Sequence, residues 1–149
     1  MVYSEMGDNA SAKADVKAST KANAQPRIAL VMIVRNEEKA LPRMWASVAP
    51  HVDAWCVVDT GSTDRTPDVV GSWAEGDRGV PGGLAKQEWK DFAHNRHESL
   101  AHARKWVATH GGSGAWWGLF LDADMTLAVS GGRRLGDALG EVLRDPNAD

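Results

Sequence analysis

The stretch "WWGLFLDADMTL", residues 116–127, places an apolar run directly before two acidic residues. Residues 116–121 are mostly apolar, and Asp122 and Asp124 follow with only Ala123 between them. A buried strand commonly ends in a turn of Gly, Asn or Pro, and a single Asp would also suffice for that turn. Because alternate side chains of an extended chain point to the same side, the spacing predicts two carboxylates that face one ligand.

The composition is that of one globular domain. The 149 residues are 43% hydrophobic and 25% charged, and the net charge is −3. Charges of both signs are interspersed, so we expect no nucleic-acid partner. No apolar run reaches the roughly 18 to 20 residues of a membrane-spanning helix. The N-terminus lacks the apolar segment of a secretory signal, and the single cysteine, Cys56, fits a reducing compartment, so a cytoplasmic location is expected.

An alternation of strands and helices is predicted from Arg27 onward. Residues 1–26 are rich in Ala, Ser and Lys and offer little apolar surface, so they are predicted to form a disordered tail. In residues 27–149, short β-branched runs alternate with stretches of helical apolar spacing. The pattern predicts an α/β fold with a mostly parallel sheet and helices on both faces. The predicted strands are residues 28–34, 54–59, 84–89 and 116–122, and the predicted helices are 41–48, 66–74, 91–108 and 135–143.

Polar motifs follow three of the predicted strands: "RNEE" (35–38), "DTGSTDRT" (59–66) and "DAD" (122–124). In a parallel sheet with right-handed crossovers, the carboxyl ends of the strands share one edge, and ligands bind there. Paired carboxylates at such an edge predict Mg²⁺ or Mn²⁺, which take carboxylate and phosphate oxygens. The alternative is a helix cap followed by a solvated acid.

The loop after the second strand divides into two predicted roles. Asp59 is predicted to accept hydrogen bonds from a nucleobase or ribose. Residues 62–66 are predicted to shape the loop and cap the next helix. In the loop after the first strand, Asn36 either caps a helix or meets a ligand through its amide, and Glu37 suits the first turn of a helix.

Arg96 is the least expected residue of the predicted helix 91–108. It lies four residues after Phe92 and four before Leu100, which places it on the apolar face. An arginine there requires an anionic partner or a phosphate, unless its side chain reaches solvent. Trp89, just before this helix, is the tryptophan predicted to stack on a ligand.

Three segments together resemble family 2 glycosyltransferases, which are inverting enzymes of the GT-A (nucleotide-diphospho-sugar transferase-like) fold. They are "IALVMIVRNEEKALPRMWASVAPHVDAWCVVDTGSTDRT" (28–66), "WKDFAHNRHESLAHA" (89–103) and "WWGLFLDADMTL" (116–127). The resemblance covers about residues 27–145. Two departures are present: Asp59 is followed by Thr60 where many members have a second acid, and "HNRHES" replaces the family's "ARN"-like order.

The resemblance implies transfer of a sugar from a UDP- or GDP-linked donor to an unidentified acceptor hydroxyl, with inversion and with help from Mn²⁺ or Mg²⁺. It implies metal binding by Asp124 and Asp122. The implied nucleotide-sugar-binding residues are Val34, Asn36, Glu37, Asp59, Arg96 and Asp122.

The general base of this chemistry lies, in the family, in an acceptor-binding half after the metal motif. The acids that remain after Asp124 fall on or after a predicted helix, and none is expected to be the base. The chain is therefore expected to be a donor-binding half that is incomplete at its C-terminus. Two alternatives stay open: a non-catalytic nucleotide-binding or regulatory module, and a nucleotidyltransferase. The second is disfavoured because "VRNEEKALP" (34–42) contains no glycine for a phosphate loop.

Overall fold

The computed structural model of the chain describes residues 2–3, 25–76 and 78–144. The strands are β1 (Val2–Tyr3), β2 (Arg27–Val34), β3 (Ala54–Asp59), β4 (Gly82–Lys86) and β5 (Trp116–Phe120), and the helices are α1 (Leu41–Val48), α2 (Thr66–Gly71), α3 (Phe92–His110) and α4 (Leu135–Arg144). The strands form one sheet in the order β1-β5-β2-β3-β4. Strands β2 to β5 run parallel, and β1 pairs antiparallel with β5.

The helices cover both faces of the sheet. On one face, side chains of β2 and β3 such as Met32 and Val57 pack in one cluster with α1, α2 and α4. On the other face, Val31, Cys56 and Phe120 pack against α3. The central strands are therefore buried on both sides, as their continuous apolar runs predict. The predicted α/β fold with a mostly parallel sheet and helices on both faces is confirmed.

The order of the strands creates a switch point. The chain proceeds from β2 through β3 to β4 on one side, and then β5 returns to pair with the other side of β2. Crossovers on the two sides of β2 leave in opposite directions, which opens a crevice at the carboxyl ends of β2 and β5. This crevice places the first and third polar motifs next to each other.

The carboxyl end of β5 differs from its prediction. The strand ends at Phe120 rather than at residue 122. Asp122 and Asp124 instead belong to a turn in which the N–H of Met125 donates to the carbonyl of Asp122 at 3.1 Å. The prediction that an extended chain aligns the two carboxylates was therefore wrong, because the chain turns where the strand pairing stops.

Helix α3 buries most of its predicted apolar face but not Phe92, since Ala103 is fully buried and Leu100 and Val107 pack partly buried against the core. Its buried residues are Asn95, Ser99 and Ala103, whereas Phe92 is 59% exposed. The polar members of this face are tolerated because they are hydrogen-bonded within the protein, as in the bond from the Ser99 hydroxyl to the carbonyl of Arg96 at 2.8 Å. Placing Phe92 on the buried face was wrong.

The other predicted elements agree with the structure apart from their ends, whereas β1, Val2–Tyr3, was not predicted and lies in the segment predicted to be disordered. The third predicted strand begins and ends earlier, at Gly82–Lys86, and the second predicted helix continues as a 3₁₀ turn at Ser72–Ala74. Most of the predicted disordered tail, residues 1 and 4–24, lies outside the described residues. Within the described part of the chain, no helix is both long and apolar enough to cross a membrane.

Candidate functional site

A cleft of about 300 Å³ opens at the carboxyl ends of β2 and β5. It lies at the switch point of the sheet, where open α/β sheets bind their ligands. One wall comes from the start of α3 and the segment before it. The lining residues are Ile33, Val34, Arg35, Glu37, Thr60, Trp89, Phe92, Arg96 and Asp122.

The floor of the cleft is built by two loops that hydrogen-bond to each other: the β2 loop (residues 35–40) and the β3 loop (residues 60–65). Three successive N–H groups of the β2 loop donate to side chains of the β3 loop and the first residue of α2. These bonds are Asn36 to Ser62 Oγ at 2.9 Å, Glu37 to Thr66 Oγ1 at 2.7 Å and Glu38 to Asp64 Oδ2 at 3.2 Å.

The bonding is reciprocal. Asn36 Oδ1 accepts the N–H of Thr63 at 2.7 Å, and Glu38 Oε2 accepts the N–H of Arg65 at 2.9 Å. Asn36 adopts a left-handed conformation with φ of 55°, which asparagine tolerates better than most residues. The predicted loop-forming role of residues 62–66 agrees with these contacts. The side chain of Asn36 is engaged with the β3 loop and does not line the cleft.

The same network sets the environment of two acids. Asp59 is 3% exposed, and its carboxylate accepts both the N–H and the hydroxyl of Ser62. It lies beside the cleft without lining it, so its contact with a nucleoside stays a prediction. Partial desolvation opposes ionisation of Asp64, but hydrogen bonds from Thr66 and Glu38 outweigh it and hold the pKa of Asp64 below its ordinary value.

Two arginines, Arg35 and Arg96, line the cleft. Arg96 lies over the ring of Phe120, 4.5 Å from its centroid, and 5.3 Å from the centroid of Phe92. Among the described residues, neither Arg96 nor Arg35 forms an ion pair with a carboxylate. The anionic partner predicted for Arg96 is therefore not a carboxylate of the described residues. Arg35 and Arg96 are both available to an anionic ligand.

The acid pair sits at the edge of this positive region. Asp122 lines the cleft, Asp124 lies just outside it, and both are exposed. Arg43 Nη2 donates to the main-chain carbonyl of Asp124 at 2.9 Å and so does not engage its carboxylate. The described residues contain no cluster of three or more His, Cys, Asp or Glu that could hold a metal ion. The two carboxylates still fit Mg²⁺ or Mn²⁺, because such ions complete their shells with phosphate oxygens and water.

The structure thus brings four predicted site residues into one cleft, Val34, Glu37, Arg96 and Asp122, together with Trp89, the tryptophan predicted to stack on a ligand. The prediction missed four further lining residues: Ile33, Arg35, Thr60 and Phe92. Val34 pairs in register with Asp59, so Arg35 and Thr60 are the first residues beyond two neighbouring strands. That position next to a strand end was the available signal. Phe92 carried no such signal, because its spacing placed it in the core.

Comparison with known proteins agrees with this architecture. Residues 29–132 match the sequence profile described as Glycosyl transferase family 2. The chain belongs to this family. A curated relative, a TPR repeat-containing protein from Synechococcus elongatus, is 36% identical to this family 2 chain over 107 residues, which are 71% of the chain and 22% of the relative.

Solved structures add the fold. A mannosyltransferase from Pyrobaculum calidifontis, solved in complex with GDP-Man and Mn²⁺, aligns with a TM-score of 0.58 and 21% identity over 89% of this chain and 39% of its own. TarS residues 1–349 from S. aureus align with a TM-score of 0.49 and 17% identity over 66% of this chain and 27% of theirs. The first likeness confirms the predicted GT-A fold. This family 2 chain spans 22% of the length of the curated relative and 39% of that of the mannosyltransferase.

Proposed function

We propose that this chain binds a nucleotide-diphosphate sugar in the cleft and forms the donor- and metal-binding half of an inverting glycosyltransferase. The observation that carries the proposal is the convergence of Arg35, Arg96 and Asp122 on one cleft at the switch point of the sheet. Two arginines that form no ion pair with any described residue suit a diphosphate, and a carboxylate beside them suits the divalent ion that accompanies it.

Each cleft residue then has a defined task. Arg35 and Arg96 balance the charge of the diphosphate, and the ring of Phe120 below Arg96 holds that guanidinium in place. Asp122 and Asp124 hold Mn²⁺ or Mg²⁺. When bound, the ion stabilises negative charge that builds on the departing nucleoside diphosphate. The interlocked β2 and β3 loops keep the floor of the cleft in one conformation before the donor arrives.

The ligand of one structural neighbour suggests the order in which nucleotides are tested. The mannosyltransferase from P. calidifontis was solved with GDP-Man and Mn²⁺, which makes GDP the first nucleotide to test and UDP the second.

Calorimetric titration of GDP and UDP into the folded chain, with Mn²⁺, with Mg²⁺ and with EDTA, tests the proposal. We expect binding that requires the metal. In Asp122→Asn the nucleotide affinity is expected to fall about tenfold or more, which corresponds to a loss of about 1.4 kcal/mol or more in the free energy of binding. Asp124→Asn is expected to act in the same direction. Asp68→Asn is the matched control, because Asp68 is an acid on α2 whose side chain is 75% exposed and which does not line the cleft.

The proposal fails if neither nucleotide binds to a folded sample. It also fails if binding persists unchanged in EDTA and in Asp122→Asn, because the carboxylate and the metal would then have no part in it.

A further inference from the structure

Trp89 is a large apolar side chain left 45% exposed at the cleft. Phe92, 59% exposed, lines the same wall. Leaving aromatic surface in water is unfavourable unless a ligand or partner covers it. The Arg96 guanidinium lies 5.3 Å from the centroid of the Phe92 ring, and Trp89 lines the same cleft, so this wall combines aromatic rings with a positive charge.

The main chain on each side of Trp89 is fixed by one buried side chain. Asn95, which is fully buried, donates from Nδ2 to the carbonyl of Glu88 at 3.1 Å and accepts at Oδ1 the N–H of Lys90 at 3.0 Å. One partner is an acceptor and the other is a donor, so the orientation of the amide is determined by the contacts themselves. Asn95 thus holds both neighbours of Trp89 in a segment that has no strand or helix of its own.

The flanking residues extend this support. The N–H of Gln87 donates to the carbonyl of Asp59 at 2.9 Å, and Asp91 Oδ1 accepts the N–H of His94 at 2.7 Å to cap α3. Trp89 is therefore anchored on one side to Asp59, the residue predicted to contact the nucleoside. The rigid support and the exposed ring together favour a stacking surface over an accidental exposure.

We propose that Trp89 stacks on the nucleobase of the bound donor and that Asn95 is a positioning residue that holds Trp89 for this contact. The inference rests on the proposed function, since it assigns the base end of the nucleotide to the Trp89 side of the cleft. A nucleobase fits this wall because every base offers a π face, which stacks on aromatic rings and on arginine. The diphosphate then points toward Asp122.

Nucleotide affinity of Trp89 variants tests the stacking. With the nucleotide that binds the chain in Mn²⁺, we expect Trp89→Ala to weaken binding about tenfold, in line with the energy of base–aromatic stacking. Trp89→Phe keeps a stacking ring and is expected to bind within a few-fold of the wild type. It also removes the fluorophore nearest the base, so nucleotide-induced quenching of tryptophan emission is expected to fall while binding persists. Val142→Ala, a truncation at a residue that is 57% exposed on α4, is the control and is expected to change neither quantity.

A double-mutant cycle tests the role of Asn95. If Asn95 acts through Trp89, Asn95→Ala weakens nucleotide binding in the wild-type background and has no further effect in the Trp89→Ala background. A loss of stability alone predicts the same proportional loss in both backgrounds. Should Asn95→Ala not fold, the Trp89→Ala and Trp89→Phe comparison still decides the stacking.

Competition with Mn²⁺-pyrophosphate separates this inference from the proposed function. Displacement of the nucleotide by pyrophosphate is expected with the same pyrophosphate affinity in the wild type and in Trp89→Ala, because pyrophosphate has no base. Equal nucleotide affinity in the wild type and Trp89→Ala, with binding still dependent on Asp122, would overturn the stacking and leave the proposed function standing. An equal loss of pyrophosphate and nucleotide affinity in Trp89→Ala would also overturn it. No metal-dependent binding of either ligand would overturn both proposals.

Discussion

Replacement of Thr66 by valine tests whether hydrogen bonds between the β2 and β3 loops stabilise the cleft. Thr66 is fully buried, and its hydroxyl accepts the N–H of Glu37 at 2.7 Å. Valine keeps the volume and shape of threonine but offers neither the acceptor for Glu37 nor the hydroxyl that hydrogen-bonds to Asp64. A partly buried N–H that loses its partner costs about 1–3 kcal/mol. Because Glu37 is only partly buried, water can partly replace the hydroxyl, and we expect a loss of about 1–2 kcal/mol in the free energy of unfolding.

Thr66→Ser is the matched control, because serine keeps the hydroxyl and loses one buried methyl group. Its expected cost is about 0.8 kcal/mol. The two variants separate the explanations. If apolar burial alone matters, Thr66→Val is the more stable variant; if the hydrogen bond matters more, Thr66→Ser is the more stable one. Equilibrium urea unfolding, with an unchanged m-value as the test of a common unfolding transition, measures both. A valine variant as stable as the wild type, or more stable than the serine variant, would refute the reasoning.

Three further predictions concern the sheet, the cysteine and acid stability. Gly82→Ala is expected to destabilise the chain by several kcal/mol or prevent folding, because a Cβ at this position would collide with the ring and the carbonyl oxygen of Trp55. Thermal melting measures the effect, and a melting temperature equal to that of the wild type would contradict the prediction. Burial raises the pKa of the Cys56 thiol to about 12. A thiol reagent at pH 8 is therefore expected to react slowly with the native chain and rapidly with the chain in denaturant. Equal reaction rates in the two conditions would show that the thiol is accessible in the folded state. Desolvation of Asp64 is outweighed by hydrogen bonds, chiefly from Thr66, so the pKa of Asp64 lies below the ordinary 3.8 in the folded state. The ionised carboxylate therefore stabilises the fold at pH values above 3.8, and this contribution is lost as the pH falls through the lower pKa of the folded state. Stability of Asp64→Asn is therefore expected to depend less on pH between about 5 and 3 than that of the wild type, and parallel pH profiles from urea unfolding would contradict this.

The alternation of strands and helices was predictable because each element carries its own periodicity. The run at 28–34 is apolar at every position and is buried on both faces in β2. The edge on which the polar motifs meet also followed, since parallel connectivity puts all strand ends on one side. The cleft could therefore be expected between the β2 loop and Asp122 from the sequence alone.

Features that depend on a distant partner were not predictable in the same way. Asn95 is polar in sequence, and it is buried because its amide is satisfied by the segment at 88–90. That compensation turns α3 so that Asn95 faces inward and Phe92 faces the cleft. The turn at Asp122 was also not predictable from the local sequence. It begins where pairing with β2 ends at Phe120, and the sequence there contains no Gly or Pro that would mark the end of the strand.

The interlocked β2 and β3 loops have a consequence for the engineering of related enzymes. Each loop supplies both donors and acceptors to the other. The N–H of Asn36 donates to Ser62 Oγ, and Asn36 Oδ1 accepts the N–H of Thr63. A chimera that exchanges only one of the two loops would therefore leave polar groups of both loops without hydrogen-bond partners. Residues 35–40 and 60–66, although separated in the chain by a helix and a strand, behave as one unit, and a chimera that keeps its fold is expected to need both together.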